Sequence, residues 1–323
     1  MFLPVGRLAL PPSPQPRATR RPQLAILLLI GGAISAAVPP RAAADVPSAA
    51  TGTRTGAGAG ALGDSLIPAT ALDASAAGVP DTAAAGAAAI PFPRPFEVGE
   101  TLRFSLQWGP IKAGTAVLAV EGIERVGAHE CYRFASTARS LPFFSTFYKV
   151  EDRIESYADT RTMITRRTVK RLREGDYRLD QDIAWDHDHE VVRYADGATH
   201  DLVRGARDVL GAMYYVRALP LAVGDSIPID THDNKKSYPL LINVLREETI
   251  DTPVGRFHCW VVEPELQTSG LFRRSGSLTV WLTHDEHRMP VMMQSKIKVG
   301  AVSAILTAVE RGAPASAMGA PAK

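Results

Sequence analysis

The chain has 323 residues, with 36 basic and 34 acidic side chains and a net charge of +2. That balance excludes the strong basic excess of a dedicated nucleic-acid binder, and two cysteines exclude a disulfide-dense scaffold and a four-cysteine zinc site. The positive sign is local: residues 1–44 hold five arginines (Arg7, Arg17, Arg20, Arg21, Arg41) and no acid, and without them 31 basic face 34 acidic residues, or −3.

In chain order, residues 1–44 read as an export signal peptide. Arg17, Arg20 and Arg21 precede an apolar run over residues 24–38, Pro39 and Pro40 end it, and Ala42, Ala43 and Ala44 offer small residues for cleavage before Asp45. The run is shorter than the roughly 20 residues of a membrane span. The expected location is therefore the periplasm, or otherwise outside the cytoplasm, after cleavage. Left uncleaved, the same run would tether the protein to the membrane. The Arg20–Arg21 pair leaves general and twin-arginine export both open. Residues 45–90 contain 16 Ala, 7 Gly and no aromatic residue. Such a composition cannot bury enough apolar surface to offset its ordering entropy, and it reads as a disordered tether. Residues 312–323 read as a similar tail.

The folded part is expected over residues 91–311 as one β-rich domain. Leu102, Phe104, Leu106 and Trp108 alternate with polar residues up to a Gly109-Pro110 turn. Further strands are expected over residues 115–120, around Tyr132 and Phe134, and over 279–282 and 291–297, with Ser275-Gly276-Ser277 as a turn. One helix is expected at about 208–219: Asp208 can cap it, Val209, Ala212, Met213, Val216 and Leu219 follow at helical spacing, and Pro220 stops it. Three local matches recur at a nearly constant offset. Val98-Gly99-Glu100 resembles Val223-Gly224-Asp225, Gly127-x-x-x-Cys131 resembles Gly255-x-x-x-Cys259, and Asp159-x-x-x-Met163 resembles Asp285-x-x-x-Met289. The expected fold is mainly β: a curved antiparallel sheet or half-barrel built from two related β-meanders, about 96–176 and 221–300. An extra hairpin and the helix lie between the meanders, and the helix covers the concave face.

Trp185-Asp186-His187-Asp188-His189-Glu190 is the most polar cluster. It reads as a solvated hairpin turn rather than a metal site, because strand alternation splits the histidines from the acids. Arg166, Arg167, Lys170, Arg171 and Arg173 read as an exposed or edge strand; their functional version is a basic ledge for an anionic envelope surface. Cys131 and Cys259 would form a disulfide only if close in space. Neither shows an activating partner, and no serine-nucleophile elbow, zinc-protease, phosphate-loop or dinucleotide motif is present in the sequence. The expectation is a protein without catalysis, cofactor, metal or nucleic-acid partner.

Residues 96–104 (Phe96-Glu97-Val98-Gly99-Glu100-x-Leu102-x-Phe104), Trp108-Gly109-x-Ile111-x-Ala113-Gly114, the stretch from Asp208 to Arg217 and Trp281-Leu282-Thr283-x-Asp285-x-x-Arg288-x-Pro290-Val291 resemble the exported bacterial family catalogued as domain of unknown function 3108. That resemblance implies an envelope location and brings no settled activity. The strand-rich layout is also similar to half-barrel envelope carriers of lipids and lipoproteins, a likeness of architecture that does not fix function.

The expected function is binding of a lipid, lipidated ligand or other hydrophobic molecule. The expected lining is Leu102, Phe104, Trp108, Tyr132, Phe134, Met213, Tyr214, Tyr215, Trp260 and Trp281. Phe143, Phe144, Phe147 and Tyr148 are expected to form a hydrophobic rim or partner loop. The alternative is a structural or assembly scaffold that docks envelope protein partners.

Overall fold

The computed structural model describes residues 94–146, 148–266, 278–296 and 301–312. The expected signal peptide, tether and distal tail, Phe147 and the Ser275–Ser277 turn lie outside the described residues.

Among the described residues fourteen strands form two antiparallel meanders, one of eight strands and one of six. The first eight are β1 (Thr101–Trp108), β2 (Ile111–Val126), β3 (His129–Ser140), β4 (Glu151–Asp159), β5 (Thr165–Glu174), β6 (Tyr177–Asp186), β7 (Val191–Tyr194) and β8 (Thr199–Asp201). The remaining six are β9 (Ser226–Asp233), β10 (Lys236–Thr252), β11 (Gly255–Leu266), β12 (Leu278–Thr283), β13 (Pro290–Lys296) and β14 (Ala301–Glu310). A single helical turn, α1 (Pro142–Ser145), joins β3 to β4, and α2 (Val209–Ala218) joins β8 to β9. All fourteen strands form one sheet, in the order β8-β7-β6-β5-β4-β3-β2-β1-β14-β13-β12-β11-β10-β9. The mainly β fold with a helix on its inner face is therefore as expected.

The internal repeat covers six strands in each half, β1–β6 and β9–β14. Each half opens on a left-handed glycine, Gly99 (φ 93°) and Gly224 (φ 95°). Their N–H groups donate to Val120 O at 2.7 Å and to Val244 O at 2.9 Å. Bulges recur at Val120/Gly122 and Val244/Arg246, and again at Tyr157/Ala158 and Trp281/Leu282. Cys131 stands opposite Asp159, and Cys259 opposite Thr283. The structural counterpart of Asp159 is thus Thr283, not Asp285 as the spacing suggested. The two carboxylates do cap similar turns, each accepting two backbone N–H groups. The halves join head to tail through β1 and β14.

The sheet curls until its two ends meet through side chains and one isolated bridge rather than a ladder. Ser237 Oγ donates to Asp201 O at 3.1 Å, Lys235 N donates to the Tyr194 hydroxyl at 3.2 Å, and an isolated bridge links Arg207 to Thr231. α2 runs inside this curl, against β3, β4 and β9. Asp208 caps it by accepting from Gly211 N at 2.6 Å. Gly211 permits the close approach: a Cβ there would sit 3.0 Å from Thr165 Oγ1 and 3.2 Å from Ser156 Oγ. Leu210, Ala212, Tyr214, Val216 and Arg217 are buried. They complete a core with Leu102, Phe104, Leu118, Phe134, Val261 and Leu306.

Candidate functional site at one end of the curled sheet

Because the strands alternate in direction, the β1–β2, β3–β4, β5–β6, β7–β8 and β9–β10 connections all emerge at one edge of the sheet. We refer to it as the tip edge. α2 and the β2–β3, β4–β5, β6–β7, β10–β11 and β12–β13 turns belong to the opposite end.

The interior differs between the two ends. Around α2 it is filled. Phe134 and Tyr214 stack with ring centroids 3.9 Å apart, and Phe96 meets Tyr132, Phe134 and Tyr214 edge-on at 5.4, 5.2 and 5.3 Å. Arg217 is fully buried, gripping Glu100 at 2.7 and 2.9 Å and donating to the carbonyls of Pro95 and His287. Leu102, Phe104, Tyr132, Phe134 and Tyr214, expected as ligand lining, therefore sit in a packed aromatic and aliphatic core. Met213 and Tyr215 are half-buried on α2, and Arg207 lies over the Tyr215 ring at 3.5 Å. Trp260 is half-buried against His284 at 4.1 Å. Trp281, expected in the lining, does not face the interior. Register pairs it with Met292, which pairs with Ile305 and through it aligns with Ser105; that places it on the outer face, opposite Val280 and Met293. Its indole donates to Glu248 there at 3.3 Å.

Towards the tip edge the inner face is less completely buried. Trp108 on β1, Leu179 on β6, Tyr238 on β10 and Leu278 on β12 continue the inward alternation of Leu106, Leu172, Leu240 and Val280, yet each is only half-buried. Trp108 was legible in advance; Leu179, Tyr238 and Leu278 were missed, although Tyr238, Leu240, Ile242 and Val244 alternate as clearly as the first strand does.

Charged groups are built into this end. Lys170 Nζ meets Asp233 at 2.5 Å in the interior. Burial pulls the Lys170 ammonium down, but Asp233 more than offsets it, so the group stays protonated. Asp152 on β4 and Glu174 on β5 face each other at the same end. Burial raises Asp152 to about 6; burial and then the neighbouring Asp152 raise Glu174 to about 7. Asp152 Oδ1 accepts from Arg173 N at 2.8 Å, while Asp152 Oδ2 and Glu174 Oε1 are buried with no donor supplied by other groups. One shared proton satisfies both. The Tyr148 phenol bonds to Glu174, and burial and that carboxylate push it up to about 12. Its ring lies over Gly175 (φ 52°), where a Cβ would come within 2.8 Å of Tyr148 Cε2. Tyr148 thus ties the β3–β4 connection down. In that connection Phe143 is 70% exposed with its ring edge-on to Phe144 at 5.5 Å.

The expected basic ledge does not form. β5 is an internal strand, between β4 and β6. Arg166, Arg167, Arg171 and Arg173 are paired with Asp159, Asp182, Glu155 and Asp180, and Lys170 is buried with Asp233. His187 in the polar turn is also buried, its Nε2 on Thr165 O at 2.8 Å and its Nδ1 accepting from Gly205 N at 3.2 Å. It pins the turn rather than facing solvent. Among the described residues no three His, Cys, Asp or Glu are grouped to hold a metal, and no helix is long and apolar enough to cross a membrane. An open cleft of about 500 Å³ at the opposite end is lined by Val254, Phe257, Met289, Val309 and Arg311.

Residues 103–307, nearly the whole curled sheet, match the family described as protein of unknown function DUF3108. The chain belongs to the DUF3108 family. No curated protein matches it. Solved structures similar to this DUF3108 chain include a β-barrel-like protein of domain of unknown function DUF1849 from Brucella abortus. It is 13% identical, with a TM-score of 0.49 over 68% of this chain and 99% of that one. A Bacteroides fragilis protein assigned as exported, with a YmcC-like fold, is 11% identical, with a TM-score of 0.32 over 68% and 99%. A Parabacteroides distasonis protein assigned as a lipoprotein is 11% identical, with a TM-score of 0.30 over 70% and 100%.

Proposed function

We propose that this DUF3108 protein is an exported envelope protein that binds a hydrophobic ligand, a lipid or lipidated molecule, inside the tip-edge end of its curled sheet. One observation supports the reading most: Trp108, Leu179, Tyr238 and Leu278, from four separate strands, all face inward at the same end and all are only partly buried. Large apolar side chains left partly uncovered on the inner face of a curled sheet offer a surface suited to an acyl chain. α2 acts as the floor, since it packs against β3, β4 and β9 and its aromatic cluster closes the far end. The buried Lys170–Asp233 and Asp152–Glu174 groups give the wall a few fixed polar points that orient a headgroup or exclude one.

Native mass spectrometry of the protein purified from its own envelope tests this. The expected result is a bound lipid mass, lost on denaturation and diminished in Leu179→Glu and Leu278→Glu variants. A bare protein mass in every preparation overturns the proposal.

A further inference from the structure

The connections at the tip edge carry a second pattern, independent of what the interior holds. Three of them present exposed apolar side chains: Ile111 after the β1–β2 turn, Phe143 on α1 and Tyr177 after the β5–β6 turn. Exposed cations stand beside them. Lys112 adjoins Ile111, Arg178 adjoins Tyr177, and Lys235 in the β9–β10 turn precedes Lys236, the first residue of β10. Lys149 follows α1 and shares Glu151 with Arg139. Among the described residues Arg178 bonds to the carbonyls of Gly175 and Tyr177, and Lys235 lies over the Tyr194 ring at 5.5 Å. Lys112, Arg178, Lys235 and Lys236 make no ion pair among the described residues, in contrast to the fully paired cations of β5.

From this juxtaposition we infer that the tip edge docks onto an anionic lipid bilayer, with Phe143, Ile111 and Tyr177 entering the headgroup layer and Lys112, Arg178, Lys235 and Lys236 meeting lipid phosphates. Apolar tips set among unpaired cations suit an interface where one side is greasy and the other negatively charged. A protein partner would need a continuous buried patch, whereas these side chains sit on separate turns with backbone between them. Tyr148 adds rigidity: its hold on Glu174 fixes the connection that presents Phe143.

The test is flotation of the full chain with phosphatidylethanolamine–phosphatidylglycerol vesicles. Neutralising Lys112, Lys235 and Lys236 to Gln is expected to weaken binding roughly hundredfold, at about fivefold per charge. Phe143→Ser should weaken it about tenfold. Arg161→Gln and Val254→Ser at the opposite end should leave it unchanged, and phosphatidylcholine vesicles should bind little. In a second arm, a fluorophore on Phe143→Cys should be quenched by nitroxide-bearing lipid, and one on Val254→Cys should not. Tip variants that bind like the unmodified chain, or a label at position 143 that stays unquenched on vesicle-bound protein, overturn the inference. Retention by the N-terminal apolar run alone would give both of those results.

Discussion

Arg217 of α2 and Glu100, the residue before β1, form a two-pronged ion pair 117 positions apart in sequence and sealed from solvent. Through it the helix that floors the interior is bolted to the start of the first strand. The remaining guanidinium hydrogens go to the carbonyls of Pro95 and His287, so the pair also ties the β12–β13 turn to the helix. Removing one partner of such a pair strands the other charge in a medium that cannot solvate it, at about 3–5 kcal/mol. Arg217→Met should therefore destabilise the domain by about that much in urea unfolding. Adding Glu100→Gln should recover part of the loss, since no bare carboxylate then remains. A loss under about 1 kcal/mol from Arg217→Met would mean that the helix is held by its apolar face alone.

The Asp152–Glu174 pair predicts a particular pH dependence. Both groups hold their protons to higher pH in the folded chain than the ordinary carboxylate value of about 4. The folded state thus binds more protons than the unfolded state across this window. Their contribution is fully present below about 4 and is lost as pH rises towards about 7. Buried His187 and His232, held below their ordinary value by burial, act in the opposite sense. The comparison must therefore be between variants. Glu174→Gln removes the like charge while keeping a hydrogen-bonding partner for Asp152, so it should gain stability relative to the unmodified chain between pH 5 and 8. Parallel curves over that range would show that the pair does not share a proton.

Cys131 and Cys259 occupy the same place in the two halves, on the outer face and opposite Asp159 and Thr283. Both are buried and free. Burial, and next Asp159 and Asp285 respectively, pushes the thiols up to about 11 and about 12. A thiol that high carries almost no thiolate at neutral pH. The folded chain should take up no iodoacetamide in hours, and two equivalents once unfolded in urea. Mass spectrometry reads both numbers, and rapid labelling of either cysteine in native buffer would contradict the burial.

The fold was legible where local chemistry and tertiary role agree. Alternation in β1, the Asp208 cap and Pro220 stop around α2, and the paired glycine turns each gave their element without help from distant residues. The site was less so. Lys170 reads as one more cation in a basic strand; only the curl that brings Asp233, 63 positions away, onto the inner face makes it an interior ion pair. Tyr132 and Phe134 are strong apolar signals, but alternation cannot say whether their face meets a ligand or a helix. Trp281 was misplaced because Val280 and Leu282 take the inward positions of β12, and plain strand alternation then turns Trp281 outward.

The two opening glycines allow the repeat itself to be tested. Gly99 and Gly224 share a left-handed backbone and donate to carbonyls at matching positions, Val120 and Val244. Each turn also returns a bond from the second strand, Val120 N to Glu100 O and Val244 N to Asp225 O, both at 2.9 Å. The conformation costs an L-residue about 1–2 kcal/mol. At Gly224 no atom lies within 4 Å of an added Cβ, so backbone strain is the whole of the penalty there. Gly224→Ala should destabilise by about 1–2 kcal/mol, and Gly224→Asn by less, because Asn tolerates this region better. If the halves are equivalent in energy as well as geometry, Gly99→Ala should cost a similar amount, with any excess measuring steric crowding near β1. A Gly224→Ala variant as stable as the unmodified chain would show that the second turn relaxes freely and that the repeat is one of shape alone.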